Sequence, residues 1–284
     1  MTSTRFGAPA DAVPALQEAW PDLPWQSLGE THGAFHRVLL LPPVAVLRIR
    51  TGEGHGAETA RECATAAALA GAELPIPRPL GTAVSAQRWS AAMVEHVEGT
   101  ARDPRSWTED RTAILDLLEV WGDAGSVHPE LADALPSARS WCGGDRWPLL
   151  VHEMTAADPE VQEAARRRVD SVLTNETGIT PGVVHGDLGP HNILWGHDGQ
   201  PMLIDTDHAA WADPAIDIAP LLATYSREDL AADVPGDVLA RAAAHRRTLS
   251  LQVAAAAQLS GDLSLRDHAL GNFARRIRRG DPQW

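Results

Sequence analysis

The sequence predicts an α+β protein in two parts: a small strand-rich N-terminal region, residues 1–98, and a larger, mainly helical C-terminal region, residues 99–284. Three observations predict it. Before Gly99, the apolar stretches LGETHGAFHRVLLL, VAVLRIRT and SAAMVEHV read as strands, punctuated by proline and glycine. After Gly99, apolar residues recur at helical spacing, as in Ile114, Leu117, Leu118 and Trp121. Between the later helical stretches lie two short apolar segments, VVHGDLGPHNILW and PMLIDTD, that carry clusters of polar residues.

The elements follow in order. Ala15, Leu16 and Ala19 suggest one short first helix. Pro42-Pro43 makes a turn between the first two strand stretches. Residues 57–70 are alanine-rich and closed by Gly71, which predicts a helix. LPIPRPLG is extended, because its prolines forbid helix. Residues 90–97 read as a further strand. In the second region, Asp158-Pro159 provides an N-cap followed by proline at the first helical position. Val161, Ala165, Val169 and Val172 then line one helix side. Residues 238–260 read as one long helical stretch, closed by Gly261. The ten tryptophans are expected in core and packing positions.

A chain of 284 residues can bury a sizeable core. No run approaches the ~18 apolar residues that span a bilayer, and the opening MTSTRFGAPADAVP lacks the apolar core of a secretory signal. Cys63 and Cys142 are too few for a disulfide framework. The cytoplasm is the expected compartment, with no membrane partner. A net charge of −14 argues against nucleic acid and favours the capture of cations. All 24 basic residues are arginine, so any role usually given to lysine falls to arginine.

The segment His185-Gly186-Asp187-Leu188-Gly189-Pro190-His191-Asn192 sits between two valines and Ile193-Leu194-Trp195. A loop pinned on both sides by apolar strands holds its polar side chains in place. Asp205 follows Met202-Leu203-Ile204, thirteen residues after Asn192. Phosphoryl transfer needs a carboxylate that orients the acceptor hydroxyl, oxygen ligands for Mg²⁺, and a cation for the phosphates. Asp187 supplies the first, and Asn192 and Asp205 supply the second. The spacing D-x-x-x-x-N, with an Asp after a later apolar strand, is that of a kinase catalytic loop. A metallohydrolase built from His185, Asp187, His191, Asp205, Asp207 and His208 is the rival reading. Its ligands lack the compact spacing of a zinc site, and it gives Asn192 no role.

With H-G-D-L-x-x-x-N, the later Ile204-Asp205 and Asp213-Pro214-x-x-Asp217, the chain closely resembles the aminoglycoside phosphotransferase family of the protein-kinase-like superfamily. Arg61-Glu62 and LPIPRPLG resemble that family's Arg-Glu helix and the strand after it. The resemblance implies a bilobal kinase-like fold. It implies Asp187 as catalytic base, Asn192 and Asp205 as Mg²⁺ ligands, and Asp217 as a support of the catalytic loop, in which His185 is expected to bond backbone. Arg48 would meet the phosphates of ATP or GTP, paired to Glu62, and Arg50, on the same strand face, could share or take that role. Residues 29–36, including Gly33, would form the loop over the phosphates, and backbone groups of Val94 and His96 would meet the purine. Asp207 is a candidate substrate contact. The implied activity is phosphorylation of a hydroxyl on a cationic small molecule. The glycine in HGDLG is similar to enzymes acting on the tuberactinomycins viomycin and capreomycin. A metabolic kinase of the same fold, and a nucleotide-binding pseudokinase, are the alternatives.

Overall fold

The computed structural model describes residues 12–33, 35–52 and 54–280. The first eleven residues, read above for a secretory core, lie outside the described residues, as does Ala34 in the expected phosphate loop. The chain divides into two units, Met1–Thr100 with Leu194–Ile204, and Ala101–Ile193 with Asp205–Trp284.

In the first unit, α1 (Ala12–Ala19) precedes β1 (Gly29–His32), β2 (Arg37–Leu41) and β3 (Ala45–Thr51). Then come α2 (His55–Gly71), β4 (Val84–Ser85) and β5 (Trp89–Glu95). The strands form one antiparallel sheet in the order β1-β2-β3-β5-β4. The alternation in Ala45-Val-Leu-Arg-Ile-Arg sorts β3 onto two faces. Leu47 and Ile49 join Leu39, Leu41, Trp89 and Ala91 in a core covered by Ala12 and Leu16 of α1. Arg48 and Arg50 point to the other face, opposite Ala92 and Ser90 of β5. There Thr59 of α2 and Ser90 share a buried hydrogen bond of 2.8 Å, which anchors the helix over the arginine row.

One expectation is corrected here. Residues 29–36 are not a single loop: Gly29–His32 is a strand paired to β2. Cross-strand pairing with Arg37–Leu40 satisfies the backbone of Gly29–His32 as a ladder, which leaves little of the segment to loop.

In the second unit, α3 (Trp107–Val127) opens on a capping box in which Ser106 and Glu109 hold each other's ends. α4 (Leu131–Ala134), α5 (Trp147–Thr155) and α6 (Pro159–Asn175) follow, and Asp158 accepts Val161 N–H as the expected N-cap. β6 (Gly182–Val184) leads into the polar loop. β7 (Ile193–Trp195) and β8 (Pro201–Leu203) form a hairpin, and β9 (Ala210–Ala212) pairs antiparallel with β6. The hairpin stretch Leu194–Ile204 belongs to the first unit, where Thr100 and Trp195 exchange backbone hydrogen bonds and Leu203 N–H donates to Pro75 O. α7 (Ala215–Leu221), α8 (Arg227–Leu230), α9 (Gly236–Arg246), α10 (Leu249–Leu259) and α11 (Leu263–Arg279) complete the unit. Trp107, Trp121 and Trp147 are buried in it.

The expected single helix over 238–260 is instead α9 and α10, broken at Arg247-Thr248. Thr248 is fully buried. Its hydroxyl donates to His245 O at 2.7 Å and accepts Gln252 Nε2 at 2.9 Å. Such local side-chain bonding competes with the helical ladder. Among the described residues no helix is long and apolar enough to cross a membrane.

Candidate active site

The catalytic-loop candidate grows out of β6. His185, fully buried, follows Val184, and its backbone N–H donates to Asp217 Oδ2 at 2.9 Å. Gly186 N–H donates to Asp217 Oδ1 at 2.8 Å. Gly186 has φ +84°, and a Cβ there would stand 2.2 Å from the carbonyl oxygen of His208, so only glycine fits. Asp187 N–H donates to His185 Nδ1 at 3.3 Å, which places the imidazole proton on Nε2. The His185 ring meets Trp121 edge to face, 5.2 Å between centroids.

Asp187 is held from its C-terminal side as well. Asn192, buried, donates Nδ2–H to Asp187 O at 2.9 Å and to Asp187 Oδ2 at 3.0 Å. His191 Nε2 lies 3.3 Å from the same Oδ2. Burial pushes the Asp187 carboxyl up, but the His191 contact and the neighbouring His208, His191 and His185 pull harder, so it lies below the usual aspartate value. Asp187 is therefore an anion at neutral pH, as a proton acceptor must be. His191 is raised by its bond to Asp187 against the opposing effect of burial, with the charges of Asp187 and Asp205 adding to the rise. At Asp217, burial outweighs the two amides and is helped by Asp187, and the carboxyl is pushed up to about 7.

Asp205 follows the hairpin with φ +65°, a left-handed conformation that Asp tolerates better than most residues. It opens a 3₁₀ turn, Thr206–His208, that contains the half-buried Asp207. His208 stacks on Trp141 with ring centroids 4.0 Å apart. Asn192 spends its NH₂ on Asp187, so its amide oxygen is the atom left for a cation. It and the exposed Asp205 carboxylate are each a hard-oxygen donor of the kind Mg²⁺ takes.

The first unit carries its own charged cluster. Glu62 of α2 makes a direct ion pair with Arg50. His36 Nε2 lies 3.2 Å from the other Glu62 oxygen, and its Nδ1 lies 3.2 Å from Arg48 Nη2. Of the two arginines that share this strand face, Arg50 takes the direct ion pair with Glu62, and Arg48 is tied to the same carboxylate through His36. The cause is the anchor at Ser90. Ser90 stands opposite Arg50, and Glu62 lies three residues along α2 from Thr59, on the same helix face. Gly33 N–H donates to His36 O at 2.9 Å and closes the turn between β1 and β2. Val94 stands opposite Val46 in the sheet, while His96, just past the end of β5, donates its N–H to Val44 O at 3.1 Å.

Sequence reasoning missed His36, and it considered His191 only as a metal ligand. The signal for His36 was its place just before β2, on the far side of a turn. The signal for His191 was its spacing of four from Asp187 with a glycine between them, which shows nothing until the loop's course is known.

Residues 35–251 match the model of the phosphotransferase enzyme family. Viomycin phosphotransferase of Streptomyces vinaceus is 32% identical over 167 residues, covering 52% of this chain and 54% of that protein. The chain thus matches about half the length of this curated relative. Among solved structures, the GDP complex of wild-type aminoglycoside 2'-phosphotransferase-IIIa superposes with a TM-score of 0.72 at 18% identity, over 94% of this chain and 98% of that one. A streptomycin–ATP–APH(2")-IIa ternary complex gives 0.63 at 13% identity, over 96% and 99%. At these identities the two structures speak to the fold, which is that of the aminoglycoside kinases.

Proposed function

Since the chain belongs to the phosphotransferase enzyme family, we propose that it is a small-molecule kinase that inactivates a polycationic antibiotic. The acceptor is a hydroxyl of a tuberactinomycin peptide such as viomycin or capreomycin, or of an aminoglycoside. The donor is ATP or GTP with Mg²⁺, and the protein acts in the cytoplasm. The observation that carries the reading is Asp187: an ionised carboxylate clamped by Asn192 and His191 on a loop braced by Asp217. The net charge of −14 suits a cationic substrate, and the viomycin-acting relative supports the antibiotic class.

In this reading Asp187 accepts the proton of the attacking hydroxyl while the γ-phosphoryl passes directly to it, with no covalent enzyme intermediate. Asn192, through its amide oxygen, and Asp205 would hold Mg²⁺, which when bound offsets the negative charge of the phosphates. Arg48 and Arg50 provide planar guanidinium forks suited to phosphate oxygens, and Glu62 and His36 fix their orientation. Asp207 is assigned to substrate, Gly33 to the turn over the phosphates, and Val94 and His96 to the base. The chemistry these residues supply is positioning and electrostatics.

The test is mass spectrometry of tuberactinomycins and aminoglycosides incubated with the protein, ATP, GTP and Mg²⁺. A gain of about 80 Da, one phosphoryl group, on one drug class is the expected result. No gain on any drug, with Mg-nucleotide binding intact, would turn the reading toward a metabolic kinase. Failure to bind Mg-nucleotide would turn it toward a pseudokinase.

A further inference from the structure

The two carboxylate oxygens of Asp187 stand in different surroundings. Both side-chain contacts fall on Oδ2, His191 Nε2 at 3.3 Å and Asn192 Nδ2 at 3.0 Å, and among the described residues none falls on Oδ1. The His191 contact depends on Gly189. A Cβ at that position would stand 2.6 Å from Cε1 and 2.8 Å from Nδ1 of the His191 ring. Such distances are far inside contact, so any larger residue at 189 displaces the imidazole from Asp187.

The geometry points to His191 as a positioning residue for the base. The terminal torsion of an Asp side chain has broad wells, so one donor alone leaves the carboxylate plane loosely set. Donors from Asn192 and His191, arriving on the same oxygen from different residues, fix that plane and turn Oδ1 toward the acceptor hydroxyl. Oδ1 then takes the hydroxyl proton as the new O–P bond forms and the bond from the γ-phosphorus to the β–γ bridging oxygen breaks. The electron pair of that broken bond leaves with the nucleoside diphosphate. Glycine at 189 is the means by which the sequence admits the imidazole. This assignment rests on the functional reading above, and it adds a residue outside the set that the catalytic-loop spacing defines.

The experiment compares wild type with His191→Ala, His191→Gln and Gly189→Ala. Misplacing a reacting group by about 1 Å costs up to ~10²-fold in rate. We expect His191→Ala and Gly189→Ala to lower kcat by about 10- to 100-fold, with KM for nucleotide and Mg-nucleotide affinity unchanged. His191→Gln retains an N–H donor and recovers part of the loss. Crystal structures of the substrate-free wild type and of Gly189→Ala give a readout that needs no acceptor: the Asp187 carboxylate leaves its wild-type plane in the variant. Wild-type kcat in both His191→Ala and Gly189→Ala, or an Asp187 that keeps its plane when the imidazole is displaced, overturns the proposal. A wild type that phosphorylates no acceptor sinks the functional reading alone, and the Asp187 plane then decides the positioning role.

Discussion

The carboxylate of Asp217 accepts the N–H groups of both His185 and Gly186, at 2.9 and 2.8 Å, and so holds two successive peptide units at the base of the loop that carries Asp187. In Asp217→Asn one of these N–H groups faces an NH₂. The expected loss is about 1–3 kcal/mol of stability, read by urea unfolding. The pH dependence has a definite sign. Burial pushes this carboxyl up to about 7 from an ordinary 3.8, so between those values the folded protein binds more protons than the unfolded chain. The contribution of Asp217 to stability is therefore greatest at low pH and declines as pH rises from about 4 to about 7, and Asp217→Asn flattens that slope.

Asp110 of α3 is a second buried carboxylate with the opposite balance. It accepts Arg102 Nη2 at 2.6 Å, Arg105 N–H at 2.9 Å and the Tyr225 hydroxyl at 2.9 Å. Burial alone would raise it, but Arg102, the Arg105 amide and Tyr225 together hold it below the usual range. Asp110→Ala strands these donors and is expected to cost about 3–5 kcal/mol, the range for breaking a buried ion pair. The stabilisation is present above the ordinary aspartate value and is lost as pH falls through the depressed one. Thermal melts of wild type and variant between neutral and acid pH should therefore converge.

Gly186→Ala places a methyl group against the His208 carbonyl in a left-handed backbone. We expect more than about 2 kcal/mol of destabilisation, and loss of turnover in whatever protein still folds. A variant that unfolds with the wild-type midpoint would show that the loop does not need this close approach.

In the first unit, Arg50 holds Glu62 directly while Arg48 reaches it through His36. Arg50→Ala and Glu62→Gln should each weaken Mg-nucleotide binding about tenfold or more, since hydrogen bonds to charged groups contribute about 1.5–3 kcal/mol. Titration calorimetry measures it. Weakening by Arg48→Ala alone would assign the phosphates to Arg48.

The polar skeleton of the candidate site was legible because it is local. Asp187 and Asn192 lie in one loop, and Asp205 sits just past a strand that its apolar run announces. The two faces of β3 were legible from alternation, and the start of α6 from Asp158-Pro159. What the sequence hid depends on packing between distant segments. Glu62 chooses Arg50 because Thr59 and Ser90 fix the register of α2 on the sheet, a fact with no local signature. The break between α9 and α10 comes from a buried threonine that bonds His245 and Gln252, in a run that otherwise reads as helix. His191 entered only as a candidate metal ligand, because the room that Gly189 makes for its ring beside Asp187 shows only in the folded loop.

The most direct test of the account is single-turnover phosphoryl transfer, with Mg-nucleotide binding measured in parallel, in Asp187→Ala and Asp205→Ala. Asp187→Ala should lose about 10²- to 10⁴-fold in rate while binding Mg-nucleotide nearly as wild type does. Asp205→Ala should lose Mg-nucleotide binding itself. Near-normal turnover in both variants would contradict the assignment of base and metal ligands.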